Sequence, residues 1–383
     1  MESSLAYVLI TPHTLRKSRT GAVLSRLLCG MKSELVGAQV VGLDEKMTES
    51  YASSIRAGKN PEEERYRTLI REYIRRGFAP SDGRRHRALM LFFRGPSVHE
   101  EIEAVTGHFI SQDSGETIRG AFGDEVLNDD GSVRYFEPAV LYSERDDCGL
   151  AVWEDFLRRY PNLVENSIIF AKPERVQRTL VLIKPDSFRQ RSARTGAIVD
   201  MFSRTGLRII GCKLCRMSIS QALEFYGPVE SALVRKLSPG VGRKAREMLE
   251  DEFSIELPES RLESLITAVG VPYARQQFER IVEFMSGCRP SRTIRENYHK
   301  EGCATCLALV YEGEDAVSKI RDVLGPTDPT QAPAGTVRRE FGLDVMVNTA
   351  HASDSSENAA REMKILRMAE SNLLDRLAEL EEK

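Results

Sequence analysis

Asn348-Thr349-Ala350-His351-Ala352-Ser353-Asp354-Ser355 is the stretch of this chain best equipped for chemistry. One imidazole stands among small residues, and Ala350 and Ala352 leave its ring uncrowded. A neutral imidazole is a competent nucleophile near neutral pH. Asp354 with Glu357 three places on reads as a capping box, which predicts a helix start there. Helix starts carry unpaired N–H groups and a positive dipole end, both suited to an anion. The stretch therefore reads as a nucleophilic histidine beside a phosphate site. A surface histidine in a strand-to-helix turn is the plainer reading, and these residues alone leave both open.

The elements around it must position the ring. The apolar run 343–347 predicts a strand leading in, and 357–374 a helix leading out. Further back, the chain repeats itself. Ala6-Tyr-Val-Leu-Ile-Thr-Pro opens one copy, and Thr179-Leu-Val-Leu-Ile-Lys-Pro185 opens another. Each apolar run leads to a basic loop and the same four residues, Arg19-Thr20-Gly21-Ala22 and Arg194-Thr195-Gly196-Ala197. Each then predicts a helix, a second strand and a helix carrying a tyrosine, Tyr51 or Tyr226. Later, Glu116-Thr-Ile-Arg119 echoes Gly335-Thr-Val-Arg338. A tandem duplication of an α+β sandwich follows, with helices on one face of an antiparallel sheet.

This predicts a first domain over 1–165, a linker over 166–177 and a second domain over 178–363. Two stretches interrupt the second: 227–272, helical in pattern with breakers at Pro239-Gly240 and Pro258, and the basic 288–302. A helical tail, 364–383, spaces Ile365, Met368, Leu373, Leu377 and Leu380 to pack on the protein or on a second chain.

A length of 383 residues with 41% hydrophobic content suits two or three globular domains. A net charge of −3 offers no global basic excess, so nucleic acid is not an expected partner. The opening residues lack a signal-peptide pattern and no stretch is apolar for the length of a bilayer, so a soluble, cytoplasmic protein is expected. Cys212/Cys215 and Cys303/Cys306 imitate a zinc site, but residues three apart on a strand face opposite sides, so buried thiols are the better reading.

The second copy resembles the nucleoside diphosphate kinases. Lys184-Pro185-Asp186, then Arg321 to Thr327, then Gly335-Thr336-Val337-Arg338, then Asn348-x-x-His351-Ala-Ser353, with Glu362 eleven residues past the histidine, stand in that family's order. The resemblance implies two ferredoxin-like domains of that type, the second with helical insertions. It also implies ping-pong transfer of a γ-phosphate between nucleoside tri- and diphosphates through phosphohistidine at His351. Lys184, Arg321 and Arg338 would supply cations and Thr327 a hydroxyl. Glu362 would fix the tautomer of His351, Ser353 would sit against the ring, and Asn348 would bond the ribose. Tyr226 matches a tyrosine near the phosphates. The base-stacking phenylalanine has no match in place: its slot holds Gln277, next to Phe278, while Ile281 matches the apolar partner on the other side of the base. Mg²⁺ would be held mainly through the nucleotide phosphates, with no protein metal ligand set. A homo-oligomer, or an intrachain pseudo-dimer, is the implied assembly.

This chain departs from the family's His-Gly-Ser at Ala352 and from its Lys-Pro-Asp-Gly at Ser187. Alanine at a position needing positive φ would cost about 1 kcal/mol or more. In the first copy, Thr11 replaces the lysine, Glu103 the first arginine, and Tyr142 or a neighbour the histidine; only Arg119 survives. Two functions follow as expectations: a kinase with its site in the second copy, or a catalytically weak or inactive nucleotide-binding or scaffold protein of the same fold.

Overall fold

The computed structural model describes residues 4–107, 115–130, 133–145, 149–165, 167–375 and 378. Four strands from the first copy, β1 (Ser4–Ile10), β2 (Glu34–Gly42), β3 (Arg87–Gly95) and β4 (Val140–Tyr142), form one sheet in the order β2-β3-β1-β4. Four from the second, β5 (Val176–Ile183), β6 (Arg208–Arg216), β7 (Thr305–Glu314) and β8 (Ala350–Ala352), form another in the order β8-β5-β7-β6. Read from the opposite edge, the two orders are the same. β1 and β5 are inner strands, each antiparallel to both neighbours. The α+β, doubly ferredoxin-like reading of the sequence holds.

Layering differs from the expected single helical face. Ala6, Val8 and Ile10 on β1 join one core cluster, and Tyr7 and Leu9 join a second with Tyr51, Ile74, Trp153 and Phe156. The first copy's sheet is thus buried on both faces. This is why β1 reads as an unbroken apolar run rather than an alternating one.

The first of those clusters runs across both copies, from Val8 and Leu27 to Val181, Ile198 and Phe202. The repeated glycines make the seam. A Cβ on Gly21 would lie 2.2 Å from the backbone N of Asp200, and a Cβ on Gly196 would lie 2.2 Å from the backbone N of Ser25. Helices Thr20–Gly30 and Arg194–Ser203 therefore cross backbone to backbone at equivalent points of the two copies. The two copies pack directly against each other along these helices. The chain accordingly divides into two compact units, Met1–Leu214 with Leu307–Lys383, and Cys215–Cys306. The expected linker falls inside the first unit, because the shared core spans it.

The expected helix over 357–374 ends early, at Ile365. Arg367 takes a left-handed φ of 49°, and the carbonyls beyond the helix find side-chain donors. Lys213 Nζ donates to the carbonyls of Leu366 (3.3 Å), Arg367 (2.9 Å) and Glu370 (3.2 Å). Asn162 Nδ2 donates to that of Met368 at 2.9 Å. Leu373 then inserts over Gly37 and Phe92, so the tail packs on the first copy; Leu377 and Leu380 lie outside the described residues. Lys213→Met would strip a buried cation from three carbonyls. It is expected to lower stability by about 2–3 kcal/mol, read as a lower urea midpoint at unchanged slope.

In the unit Cys215–Cys306, helix Ile219–Phe253 starts in a capping box of Ser218 and Gln221 and continues through Pro228 and Pro239. The expected break at Pro239-Gly240 does not occur. A Cβ on Gly270 would sit 2.3 Å from the carbonyl O of Ser238, so packing against the returning chain holds the helix there against its propensity. Helix Val271–Ser286 follows, then the basic loop with short turns at Pro290–Arg292 and Arg295–Asn297.

Candidate active site

Strand β5 ends at Ile183, just before Lys184, because Pro185 cannot continue the ladder and opens a short turn, Pro185–Ser187. The Lys184 N–H donates to the carbonyl of Thr349 at 2.9 Å, and Lys184 Nζ donates to Asn348 Oδ1 at 2.6 Å and to the carbonyl of Met346 at 3.2 Å. β8 pairs with β5 so that His351 lies opposite Leu182. Lysine and histidine thus sit at the same end of adjacent strands.

The residue entering β8 is Thr349, at φ +79°. A β-branched residue is strained there, and surrounding contacts must hold it. Arg194 does so: its guanidinium donates to Thr349 Oγ1 (2.9 Å), Asp186 Oδ2 (2.7 Å) and the carbonyl of Phe341 (2.6 Å). Burial pushes the Asp186 carboxyl above its usual range, against the pull of Arg194 and Lys184. Sequence reasoning missed Arg194; its signal was the repeated Arg-Thr-Gly-Ala. The positive φ belongs to Thr349, so Ala352 sits in regular strand and Ser187 in its turn without the expected penalty.

His351 Nε2 lies 2.9 Å from Glu362 Oε2, and Ser353 Oγ donates to the same oxygen at 2.7 Å. A carboxylate only accepts, so Nε2 carries the proton and Nδ1 the lone pair. Glu362 and Ser353 are buried, while the His351 side chain keeps 23% of its surface exposed. Glu362 comes from helix Ser356–Ile365, capped by Ser355 rather than by Asp354 as expected: Ser355 Oγ accepts from the Asn358 N–H. Asp354 stays in the ring's neighbourhood. Its carboxyl is held low by the Asn358 amide and, more weakly, by the fields of Arg321 and His351.

Arg338 donates to the carbonyls of Gly325 (2.9 Å) and Ala350 (3.1 Å), bracing the strand of the histidine. Arg321 is exposed at the end of helix Ala316–Leu324, and Thr327 is exposed beyond it. Asn348 is only 1% exposed. Both its amide hydrogens go to the loop, to the carbonyls of Thr327 and Val345, each at 3.0 Å. Any bond from Asn348 to a ribose hydroxyl therefore falls to Oδ1, which also takes the lysine. The expected strand at 343–347 is a loop instead. Asp344 Oδ1 accepts from the N–H groups of Met346 and Val347, which folds the chain into a turn and leaves Leu343 and Val345 exposed.

One unit thus gathers Lys184, Arg321, Thr327, Arg338, Asn348, His351, Ser353 and Glu362. Tyr226, Phe278 and Ile281 belong to the unit Cys215–Cys306. There Tyr226 is buried and Ile281 half-buried. Phe278 is 6% exposed, on the buried face of its helix with Ala274 and Val282.

The first copy keeps the brace but not the histidine. Arg119 donates to the carbonyls of Gly107 (2.9 Å) and Val140 (3.4 Å), the equivalents of both Arg338 bonds. Ile10 pairs with Val140 as Ile183 pairs with Ala350, which puts Leu141, the neighbour of Tyr142, in the place of His351. A cavity of about 500 Å³ remains there, lined by Arg67, His99, Glu103, Arg119, Tyr142 and Glu144 among others.

Cys212, Cys215 and Cys306 are buried and Cys303 is exposed. Among the described residues no group of three His, Cys, Asp or Glu side chains could hold a metal ion, and no helix is long and apolar enough to cross a membrane.

Residues 177–233 and 274–371 match the family model described as nucleoside diphosphate kinase. A nucleoside diphosphate kinase of Staphylothermus marinus is 30% identical over 190 residues, covering 50% of this chain and 92% of that one. One from Cereibacter sphaeroides is 30% identical over 188 residues, covering 49% and 91%. A solved nucleoside diphosphate kinase structure from Aquifex aeolicus is 27% identical, covers 50% of this chain and 94% of its own, and superimposes with a TM-score of 0.31.

Proposed function

Since the chain belongs to the nucleoside diphosphate kinase family, we propose that its second copy is a working kinase with one site per chain. The observation that carries this reading is the His351–Glu362 hydrogen bond, which directs the Nδ1 lone pair away from its buried partner. In the first half-reaction Nδ1 attacks the γ-phosphorus of a nucleoside triphosphate. The bond to the bridging oxygen breaks, and the diphosphate leaves with that electron pair. In the second, a terminal oxygen of another nucleoside diphosphate attacks the phosphorus and the N–P bond breaks. Glu362 holds the Nε2 proton throughout and stabilises the charge that the phosphorylated ring acquires.

In this reading Lys184, Arg321 and Arg338 supply the cations that meet the phosphates, and Thr327 a hydroxyl donor. Transfer of this kind needs in-line positioning and charge neutralisation above all. The donor set suits a nucleotide that arrives as its Mg²⁺ complex, because these side chains are cationic and hydroxylic rather than carboxylate-rich. Mg²⁺ bound to the phosphates offsets their charge during transfer. Nucleotides are its partners, nucleic acid is not, and the setting is cytoplasmic.

Nucleotide binding without turnover is a second reading, favoured by the burial of Phe278. Initial rates separate the two. Varying MgATP against GDP should give parallel double-reciprocal lines that vanish with excess chelator; absence of turnover with nucleotide binding intact would favour the second reading. Glu362→Gln should lower kcat about 100-fold, because the amide can present a hydrogen to Nε2 and disfavour the productive tautomer.

A further inference from the structure

The basic loop that follows helix Val271–Ser286 is closed at its neck by two thiols, and the fold brings them together. The helix ends at Gly287, φ +76°. Ser286 then anchors both sides of the neck. Its hydroxyl accepts from the Cys288 N–H at 3.1 Å, and its carbonyl accepts from the Cys303 N–H at 2.9 Å. Cys303 Sγ lies over the intervening residue: it is 3.4 Å from the Gly287 carbonyl, and a Cβ on Gly287 would stand 2.3 Å from it. Cys288 and Cys303 therefore face each other across the neck, both tied to Ser286 and flanking Gly287. Between them run Arg289, Arg292, Arg295, His299 and Lys300.

We propose that Cys288 and Cys303 are an oxidation site, a thiol pair that a hydroperoxide converts to a disulfide stapling the basic loop at its neck. Two adjacent thiols with no third ligand among the described residues suit a disulfide rather than a metal. Cys303 is exposed and Cys288 partly covered, which sets the order of events. The Cys303 thiolate attacks a peroxide oxygen, the O–O bond breaks, and Cys303 becomes a sulfenic acid as the alcohol or water departs. Cys288 sulfur then attacks Cys303 sulfur, the S–O bond breaks, and water leaves. In sum, two thiols and one hydroperoxide give one disulfide, one water and one alcohol, or two waters from hydrogen peroxide. Burial and the neighbouring Cys303 sulfur push the Cys288 thiol up, which leaves the first attack to Cys303 and makes closure faster as pH rises above neutral.

The test uses the full chain, treated with hydrogen peroxide, alkylated and digested with trypsin without reduction. The staple joins peptide 281–292 to peptide 301–319. That linked species should be the main product, disappear on reduction, and be lost in both Cys288→Ser and Cys303→Ser. The second peptide also holds Cys306, so persistence of the link in Cys303→Ser would overturn the assignment. Recovery of both thiols alkylated, or of Cys303 oxidised with Cys288 still alkylated, would overturn it too. Cys303 is exposed, so its serine variant should fold; an unchanged melting curve for the reduced protein checks this.

Discussion

Exchange of His351 for alanine is expected to lower phosphoryl transfer from MgATP to GDP by about 10⁴-fold or more, the scale seen when an enzyme loses its covalent nucleophile. The fold should survive. The ring is part-exposed at the edge of its sheet, and Glu362 keeps the Ser353 hydroxyl as a partner. The first copy offers no rescue, because Leu141 stands in the place of the histidine and Thr11 in that of Lys184. Steady-state rates beside a thermal melt would read both halves of the prediction. A loss of less than tenfold at unchanged stability would mean that another group carries the phosphoryl.

The second large effect concerns the seam between the copies. Gly21→Val and Gly196→Val should each cost more than about 3 kcal/mol, since overpacking against a backbone finds no flexible side chain to yield. At Gly21 the added Cβ meets Asp200 N, Cα and Cβ; at Gly196 it meets Ser25 N and the Gly21 carbonyl. Each variant forces the same two helices apart, so the pair should be non-additive, the second substitution costing less than the first. Urea unfolding of the single and double variants measures this. Wild-type midpoints would contradict the close crossing. Lost soluble expression would agree with it.

Much of this was legible before any coordinates. The strands β1 and β5, the repeated Arg-Thr-Gly-Ala and the order of the four motifs in the second copy sit where local pattern put them. What escaped was set by side chains acting on backbone at a distance. Residues 343–347 carry strand-forming side chains, yet Asp344 captures two N–H groups and makes a turn. Periodicity runs on past Ile365, yet Lys213, some 150 residues earlier in the chain, takes the carbonyls that a continuing helix would use. A glycine missing from the histidine motif suggested strain at Ala352, whereas the fold places positive φ at Thr349, under Arg194. The motifs narrowed the histidine's counterpart to Tyr142 or a neighbour; pairing register selects the neighbour Leu141, whose side chain lies on the other face of the strand from that of Tyr142. A boundary at 166–177 was reasonable for two copies, but a core shared through glycines leaves them as one compact unit.

Single-turnover labelling tests the central claim most directly. The full chain is mixed with γ-labelled ATP and Mg²⁺, quenched in base, and the label located and counted, then chased with unlabelled GDP. The expected result is one acid-labile phosphate per chain, on Nδ1 of His351, that leaves as GTP within the chase. Label on another residue, or an unlabelled protein that still binds ATP, would contradict it.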